Sequence, residues 1–331
     1  MNTFSVSVIA LATCAKVSVA NMYQSALFFQ GLQGFMNTHG LSAFLDFSVN
    51  CRPYEVYNPI MEFLSRDFTI RNNDVNKFGV LRSSTMFAMF QNISDEHCAV
   101  HGAGSDDLLA RGLIWILAAQ RAVIRRMPRL GETVRFTTWV NEPRHGLYPR
   151  FYKIELPDST QTEHPESAPT NTTNKKEPAP LVLAGSYWSV VEIDNRTLLG
   201  KDIPGPDFDC IVTGEEINLL RGPRVSKAAP VCVREFTVPY SYIDMNGHMN
   251  NTRYIDEAEN VLPPVSEGRQ PALINIRYSA EALQGELLTV SCCELLPAKS
   301  TSPSDAGYPD TSYSVTVSSQ SGDKAILQFG Y

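Results

Sequence analysis

The chain has 331 residues, 43% hydrophobic and 19% charged, enough to bury one large core or two of about 150 residues each. Its formal net charge of −7 speaks against general affinity for nucleic acid or for an anionic membrane, because phosphate contacts require a basic surface. The seven Cys include an adjacent pair, Cys292 and Cys293, but show neither the paired C-x-x-C spacing of a zinc site nor a regular disulfide framework, so a reducing cytoplasm is expected.

Residues 4–15, FSVSVIALATCA, have the apolar character of a secretory signal core, yet no Lys or Arg precedes them and the run is too short to span a bilayer. Secretion is the less favoured expectation. No clean period is found between Asn21 and Pro59, and CRPYEVYNP reads as extended loop. Ordered structure is expected from near Met61, with residues 1–60 an extension and Met61 an alternative translation start.

Further along, FTIRNNDVN at 68–76 reads as a strand entering a polar turn. A helix over 83–98 is predicted from Met86, Phe87, Met89, Phe90 and Ile93 at mixed spacings of three and four. His97 and His101 follow at i, i+4 with Asp95 and Glu96 nearby, but no third ligand stands at a suitable spacing, so no metal is expected. The run RAVIRRMPR concentrates Arg121, Arg125, Arg126 and Arg129 in an acidic chain; such a run is usually a solvated face, and here it is also a candidate docking surface. TVRFTTWV and SYWSVVEID alternate as strands. Between them, residues 157–180 are Pro, Ser, Thr and Asn with almost nothing apolar, and are expected to be a disordered insertion. VTGEE at 212–216 does not resemble a phosphate loop, and no nucleotide cofactor is implied. After YIDMNGHMNNTRY at 242–254 comes a helical pattern over 249–261, then LLTVSCCELL, a second expected disordered insertion at 298–312, and YSVTVSS.

The chain repeats itself. Asp74-x-Asn76 echoes Asp244-x-Asn246 at an offset of 244 − 74 = 170, and Gly131-Glu132 echoes Gly285-Glu286 at 285 − 131 = 154. In each copy a short strand leads through a polar turn into an amphipathic helix, and alternating strands follow. That order suggests an antiparallel sheet wrapped around one long helix.

DMNGHMNNTRYIDEAEN is similar to the D-x-N-x-H-x-N-N-x-x-Y signature of acyl-acyl carrier protein thioesterases. The segment from FTIRNNDVN to VRFTTW resembles the amino-terminal half of the same family, including Gly-Leu-x-Trp at 112–115 and Pro-x-x-Gly-Glu at 128–132. The resemblance covers roughly 61–331 and implies an α+β chain of two tandem hotdog repeats, 61–200 and 201–331, the second catalytic. It implies hydrolysis of acyl-acyl carrier protein to free fatty acid without a cofactor; the cysteine usage favours the cytoplasm over a plastid or secretion. The partner would be acyl carrier protein with its acyl-phosphopantetheine arm, docked at Arg125, Arg126 and Arg129, with no membrane insertion and a monomer or homodimer as the active form.

Thioester hydrolysis needs an activated water and donors for the developing oxyanion, and Asp244, Asn246 and His248 at i, i+2 and i+4 before a helix suit that need. An Asp or Asn before a helix more often simply caps it. The similarity of INIRYSAEALQG to the family's Tyr-Arg-x-Glu-Cys segment implies Glu281 as a further carboxylate, with Ala282 where many members have Cys. Lacking that thiol, the expected route is direct attack by water held by Glu281 or Asp244. Asn250 and Asn251, which also fix the turn, are candidate substrate-binding residues. Phe87, Phe90 and Trp115, with Ile93, Leu113 and Leu117, are candidate acyl-lining residues, although apolar residues at helical spacing are more often plain core. The first copy has Lys77, Phe78 and Gly79 after its Asn76 and is read as the non-catalytic half that holds the acyl chain. Alternatives are an acyl-CoA thioesterase, a hydratase or dehydratase of the D-x-N-P-x-H type, and a catalytically silent acyl-binding protein. The four-residue step from Asp244 to His248, without Pro, argues against the second, and the intact polar set against the third.

Overall fold

The computed structural model describes residues 62–157, 179–194, 197, 206–296, 309 and 311–331. The extension 1–60 and nearly all of the two expected insertions lie outside the described residues. Strand β1 (Phe63–Thr69) passes through a 3-10 turn at Asn72–Asp74 into α1 (Ser83–Val100). α1 runs two residues beyond its expected end, because no Gly or Pro interrupts it before Gly102, which takes φ +63°. α2 (Ser105–Leu109), β2 (Leu113–Ile124), β3 (Thr133–Val140), β4 (Leu147–Glu155) and β5 (Val182–Glu192) complete the first half. The second half consists of β6 (Cys232–Thr237), a 3-10 turn at Tyr240–Tyr242, α3 (Asn251–Glu259), α4 (Pro263–Ser266), β7 (Leu273–Tyr278), β8 (Leu287–Leu295), β9 (Ser312–Ser319) and β10 (Gly322–Gly330).

All ten strands form one antiparallel sheet in the order β1-β3-β4-β5-β2-β7-β10-β9-β8-β6. From either edge the order is first, third, fourth, fifth, second strand of a half. The seam is the pairing of β2 with β7, from Ala119 opposite Arg277 to Val123 opposite Leu273. Each half curls its sheet around its own helix, the tandem hotdog arrangement.

Burial follows the side-chain period of each element. Met86, Phe87, Phe90, Ile93 and His97 form the buried stripe of α1, and the Phe90 ring stacks on Tyr152 at 4.5 Å and meets Phe136 at 5.5 Å. In β8, Leu288, Val290 and Cys292 point inward, alternating with Leu287, Thr289 and Ser291. α1 and α3 pack against one another, with Glu259 near the end of α3 hydrogen-bonded to Ser83 at the start of α1. Residues 206–231 run from the first half to the second: Leu219 packs on Trp139 and Phe151 and the Ile211 amide donates to the Val140 carbonyl, then Asn275 Nδ2 of β7 donates to the Arg221 carbonyl and the Arg224 amide to Gln328 Oε1.

The two turns superimpose in a register different from the one expected. The Gly79 amide donates to the Asn76 carbonyl as Gly247 does to Asp244. Asn76 N donates to the Val80 carbonyl as Asp244 N does to His248, and Leu81 N donates to Pro128 as Met249 N does to Ala282. Within the turn each equivalence is an offset of 168, for example 247 − 79, while the Pro128 and Ala282 carbonyls stand 282 − 128 = 154 apart, so Asn76 stands at the position of Asp244, not Asp74. The offset of 170 is therefore corrected; that of 154 for Gly131-Glu132 stands, because Ile70 N bonds Glu132 as Val238 N bonds Glu286. Two constraints fix the register. Gly79 and Gly247 both adopt positive φ, which a side chain resists, and the residue three before each accepts a backbone amide with its side-chain oxygen, a task Asp and Asn perform equally. In the first half the positions of Asn246, His248 and Glu281 are thus held by Phe78, Val80 and Met127.

Candidate active site

The second turn is built locally. Gly247 at φ +85° closes it, Asp244 Oδ1 accepts the Asn246 amide at 2.9 Å, and the Asn250 amide returns to the Tyr242 carbonyl at 2.8 Å. Asn250 then caps α3: its Oδ1 accepts from the Thr252 amide at 2.9 Å and the Thr252 hydroxyl at 2.7 Å. The helix therefore begins at Asn251, two residues after the expected start, because Met249 is engaged with the Ala282 carbonyl.

Glu281 arrives from the loop after β7. Lys324 Nζ holds its carbonyl at 2.8 Å while pairing with Glu286 Oε1 at 2.8 Å. So anchored, the Glu281 carboxylate stands 3.1 Å from His248 Nε2, and on the other side Asp244 Oδ1 lies 3.9 Å from His248 Nδ1. The imidazole sits between two carboxylates from separate segments. Nearby, the Tyr278 hydroxyl shares its one proton between the Asn251 carbonyl at 3.1 Å and Gln120 Oε1 at 3.2 Å, tying the start of α3 to the seam strands.

A cavity of about 350 Å³ begins at this turn and extends into the first half. Asp244, Met245, Asn246, Asn250 and Asn251 form one end; Gln91, Asn92, Ser94, Asp95 and Cys98 of α1 run along a side. Trp115, Tyr148, Trp188, Phe208 and Arg150 line the rest together with Ile114, Leu117 and Val140. The positive end of the α3 dipole therefore opens on the cavity.

Of the residues singled out from the sequence, Asp244, Asn246, His248 and Glu281 come together, and Asn250, Asn251 and Trp115 face the cavity, the Trp115 ring N–H donating to the Ala103 carbonyl at 2.9 Å. Leu117 lines it too. Phe87, Phe90 and Ile93 do not; they are fully enclosed in the main core, and Leu113 packs with Leu108 and Val190. Arg125 and Arg129 are exposed, and Arg126 holds both Glu132 oxygens at 2.9 Å. His97 and His101 stack edge-on 4.9 Å apart, with His97 hydrogen-bonded to Arg150; among the described residues no group of three or more metal-ligating side chains occurs. Sequence reading missed Arg150, Tyr148, Trp188, Phe208 and Gln91. The alternation of LYPRFYKIE gave the only signal, since it puts a charged residue on an inward position of β4.

The thiols nearby are poor nucleophiles. Ala282 is buried without a sulfur, burial raises the Cys98 thiol on the cavity wall, and burial pushes Cys292 up to about 12. The five described cysteines are all free. No described helix is long and apolar enough to cross a membrane.

Comparisons with known proteins agree with this layout. The model of the acyl-ACP thioesterase N-terminal domain matches residues 62–162, and that of the C-terminal domain residues 226–326. The chain is 22% identical over 239 residues to a chloroplastic palmitoyl-acyl carrier protein thioesterase of Gossypium hirsutum, covering 68% of this chain and 53% of that protein. A chloroplastic palmitoyl-acyl carrier protein thioesterase of Cuphea hookeriana is 23% identical over 261 residues, covering 73% and 56%. The chain thus spans about half the length of the curated relatives it matches. Among solved structures, an acyl-ACP thioesterase from Bacteroides thetaiotaomicron superposes with TM-score 0.63 at 19% identity, covering 81% of this chain and 97% of that one. The 12:0-ACP thioesterase from Umbellularia californica gives 0.61 at 14% identity, covering 81% and 92%.

Proposed function

The chain belongs to the acyl-ACP thioesterase family, and from that premise we propose that it hydrolyses the thioester of an acyl-acyl carrier protein to release the free acid. The observation that carries this reading is the His248 imidazole held between Glu281 and Asp244, on the turn whose Asp244, Met245 and Asn246 form one end of the cavity. The acyl group lies in the cavity with its carbonyl at the turn. Glu281 takes the proton of a water as the water oxygen bonds to the carbonyl carbon. The side-chain amide of Asn246 and the start of α3 stabilise the oxyanion. Collapse breaks the C–S bond, and the proton that Glu281 took passes through His248 to the departing thiolate, restoring both side chains. The catalytic assignment is Asp244, Asn246, His248 and Glu281, with Asn250 and Asn251 positioning the carbonyl.

We read residues 61–200 as the acyl-holding repeat and 201–331 as the catalytic one. Phe78, Val80 and Met127, at the equivalents of Asn246, His248 and Glu281, deprive the first repeat of a proton-transfer set. For the carrier protein, the exposed Arg125 and Arg129 flank Arg126 about 17 Å of strand from Gln120, at the seam beside the start of α3. A cytoplasmic monomer suffices for this chemistry, since one chain supplies both halves.

Thiol release from dodecanoyl and hexadecanoyl acyl carrier protein and from the matching CoA esters tests the reading. Release by the purified chain, lost in folded His248→Ala and Glu281→Ala variants, supports it. Absence of release with carrier protein still bound makes this an acyl-binding protein instead.

A further inference from the structure

Arg150 is 3% exposed, lines the cavity, and has no carboxylate partner among the described residues. Nη1 donates to His97 Nδ1 at 2.9 Å and to the Thr138 hydroxyl at 3.3 Å, and Nη2 donates to Cys98 Sγ at 3.1 Å. A guanidinium has only donors, so His97 must accept at Nδ1 and carries no proton there. Every one of these partners is neutral. The Phe208 ring, 5.7 Å from Cζ, adds only a quadrupole. An enclosed charge normally has an opposite charge beside it, because the desolvation cost is otherwise several kcal/mol.

Gln91 lines the cavity, as does Asn251 at the catalytic turn. Along α1, Gln91 and Cys98 are seven residues apart, about 10 Å at 1.5 Å per residue. The cavity thus joins the catalytic turn at one end to a cation at the other that touches no carboxylate among the described residues; the Asp95 carboxylate on the same wall accepts instead from the Ser105 amide and hydroxyl. A wholly hydrocarbon acyl chain would leave that cation unpaired in a site emptied of water.

We propose that the acyl group this chain takes carries an acidic oxygen, a carboxylate, at its distal end, which Arg150 pairs with inside the cavity. The inference rests on the thioester hydrolase reading for the chemistry, and on Arg150 alone for the substrate class. Hydrolysis then consumes water, breaks the C–S bond, forms a C–O bond, and releases a dicarboxylic acid and the carrier thiol.

The test compares octanoyl and 7-carboxyheptanoyl esters, each on acyl carrier protein and on CoA, with the purified full chain and its Arg150→Met and Arg150→Lys variants. Expected is a wild-type kcat/KM favouring the carboxylated ester by at least about tenfold, the worth of a hydrogen bond to a charged group. Arg150→Met should reverse that preference and Arg150→Lys retain part of it. A merely structural arginine would lower both esters equally, leaving the ratio unmoved. An unmoved ratio, or a wild-type preference for the methyl-terminated ester, overturns the proposal. If Arg150→Met fails to fold, calorimetry of octanedioate against octanoate on the wild type decides, with equal or absent binding overturning it. Octanedioate binding without release from any ester would support the anion site and sink the hydrolase reading, so the two failures are separable.

Discussion

Replacing Glu281 by Gln keeps the shape of the side chain and removes its charge and its capacity to take a proton. The structure sets the magnitude by separating two roles. If Glu281 takes the water's proton, the loss in kcat is that of a general base, about 10²–10⁴-fold. If it only steadies the imidazole through the 3.1 Å contact to Nε2, the loss is that of one hydrogen bond to a charged group, about 1.5–3 kcal/mol or roughly 10–150-fold. Asp244 lies 3.9 Å from Nδ1, and its Oδ1 already accepts the Asn246 amide, so Asp244→Asn should cost less, about tenfold, mainly by loosening the turn. Single-turnover thiol release at saturating substrate, with His248→Ala and the Glu281→Gln/His248→Ala double variant, completes a cycle. The double variant should lose little more than the worse single one, because the two side chains act as a unit. Glu281 is partly exposed and outside the core, so its substitution should move stability by no more than about 0.5 kcal/mol. Near-wild-type turnover in Glu281→Gln together with abolished turnover in Asp244→Asn would refute the assignment of the base.

Three further outcomes concern stability. Asn250→Ala should cost about 1 kcal/mol, since the cap on Thr252 is lost, and denaturant midpoints measure it. Burial raises the Glu259 carboxyl to about 7, above the unfolded value of 4.5. A raised acid penalises the folded state increasingly as pH climbs from 4.5 through 7, so Glu259→Gln should stabilise by on the order of 1–2 kcal/mol at pH 8 and by little at pH 4, allowing for the side chain's partial exposure; melts that shift equally at both pH values would contradict this. Phe90→Ala removes a ring stacked on Tyr152 and should cost about 3–5 kcal/mol, lowering the melting temperature by roughly 10 °C. It should leave the ratio of rates among acyl esters unchanged, because Phe90 does not line the cavity; a changed ratio would return it to the substrate site.

The sequence by itself determined whatever depends on neighbours a few residues apart. The stripe of α1, the alternation of β3 and β8, the Asp244-to-Asn251 turn and its helix are all encoded by hydrogen bonds and side-chain periods that close locally. The tandem plan was legible too, although the repeated D-x-N pattern misled by two residues; the flanking Phe68-Thr69 and Phe236-Thr237 already stand 236 − 68 = 168 apart. Tertiary structure decided the rest. Only the pairing of β2 with β7 and the anchoring of the Glu281 carbonyl by Lys324 bring a carboxylate 33 residues from His248 in sequence (281 − 248) to its ring. Likewise only the curl of β4 against α1 shows that Trp115 faces the cavity while Phe90 does not, and that Arg150 is enclosed among neutral partners. Apolar periodicity says that a side chain points inward; whether it meets packed atoms or open space depends on strands contributed from elsewhere in the chain.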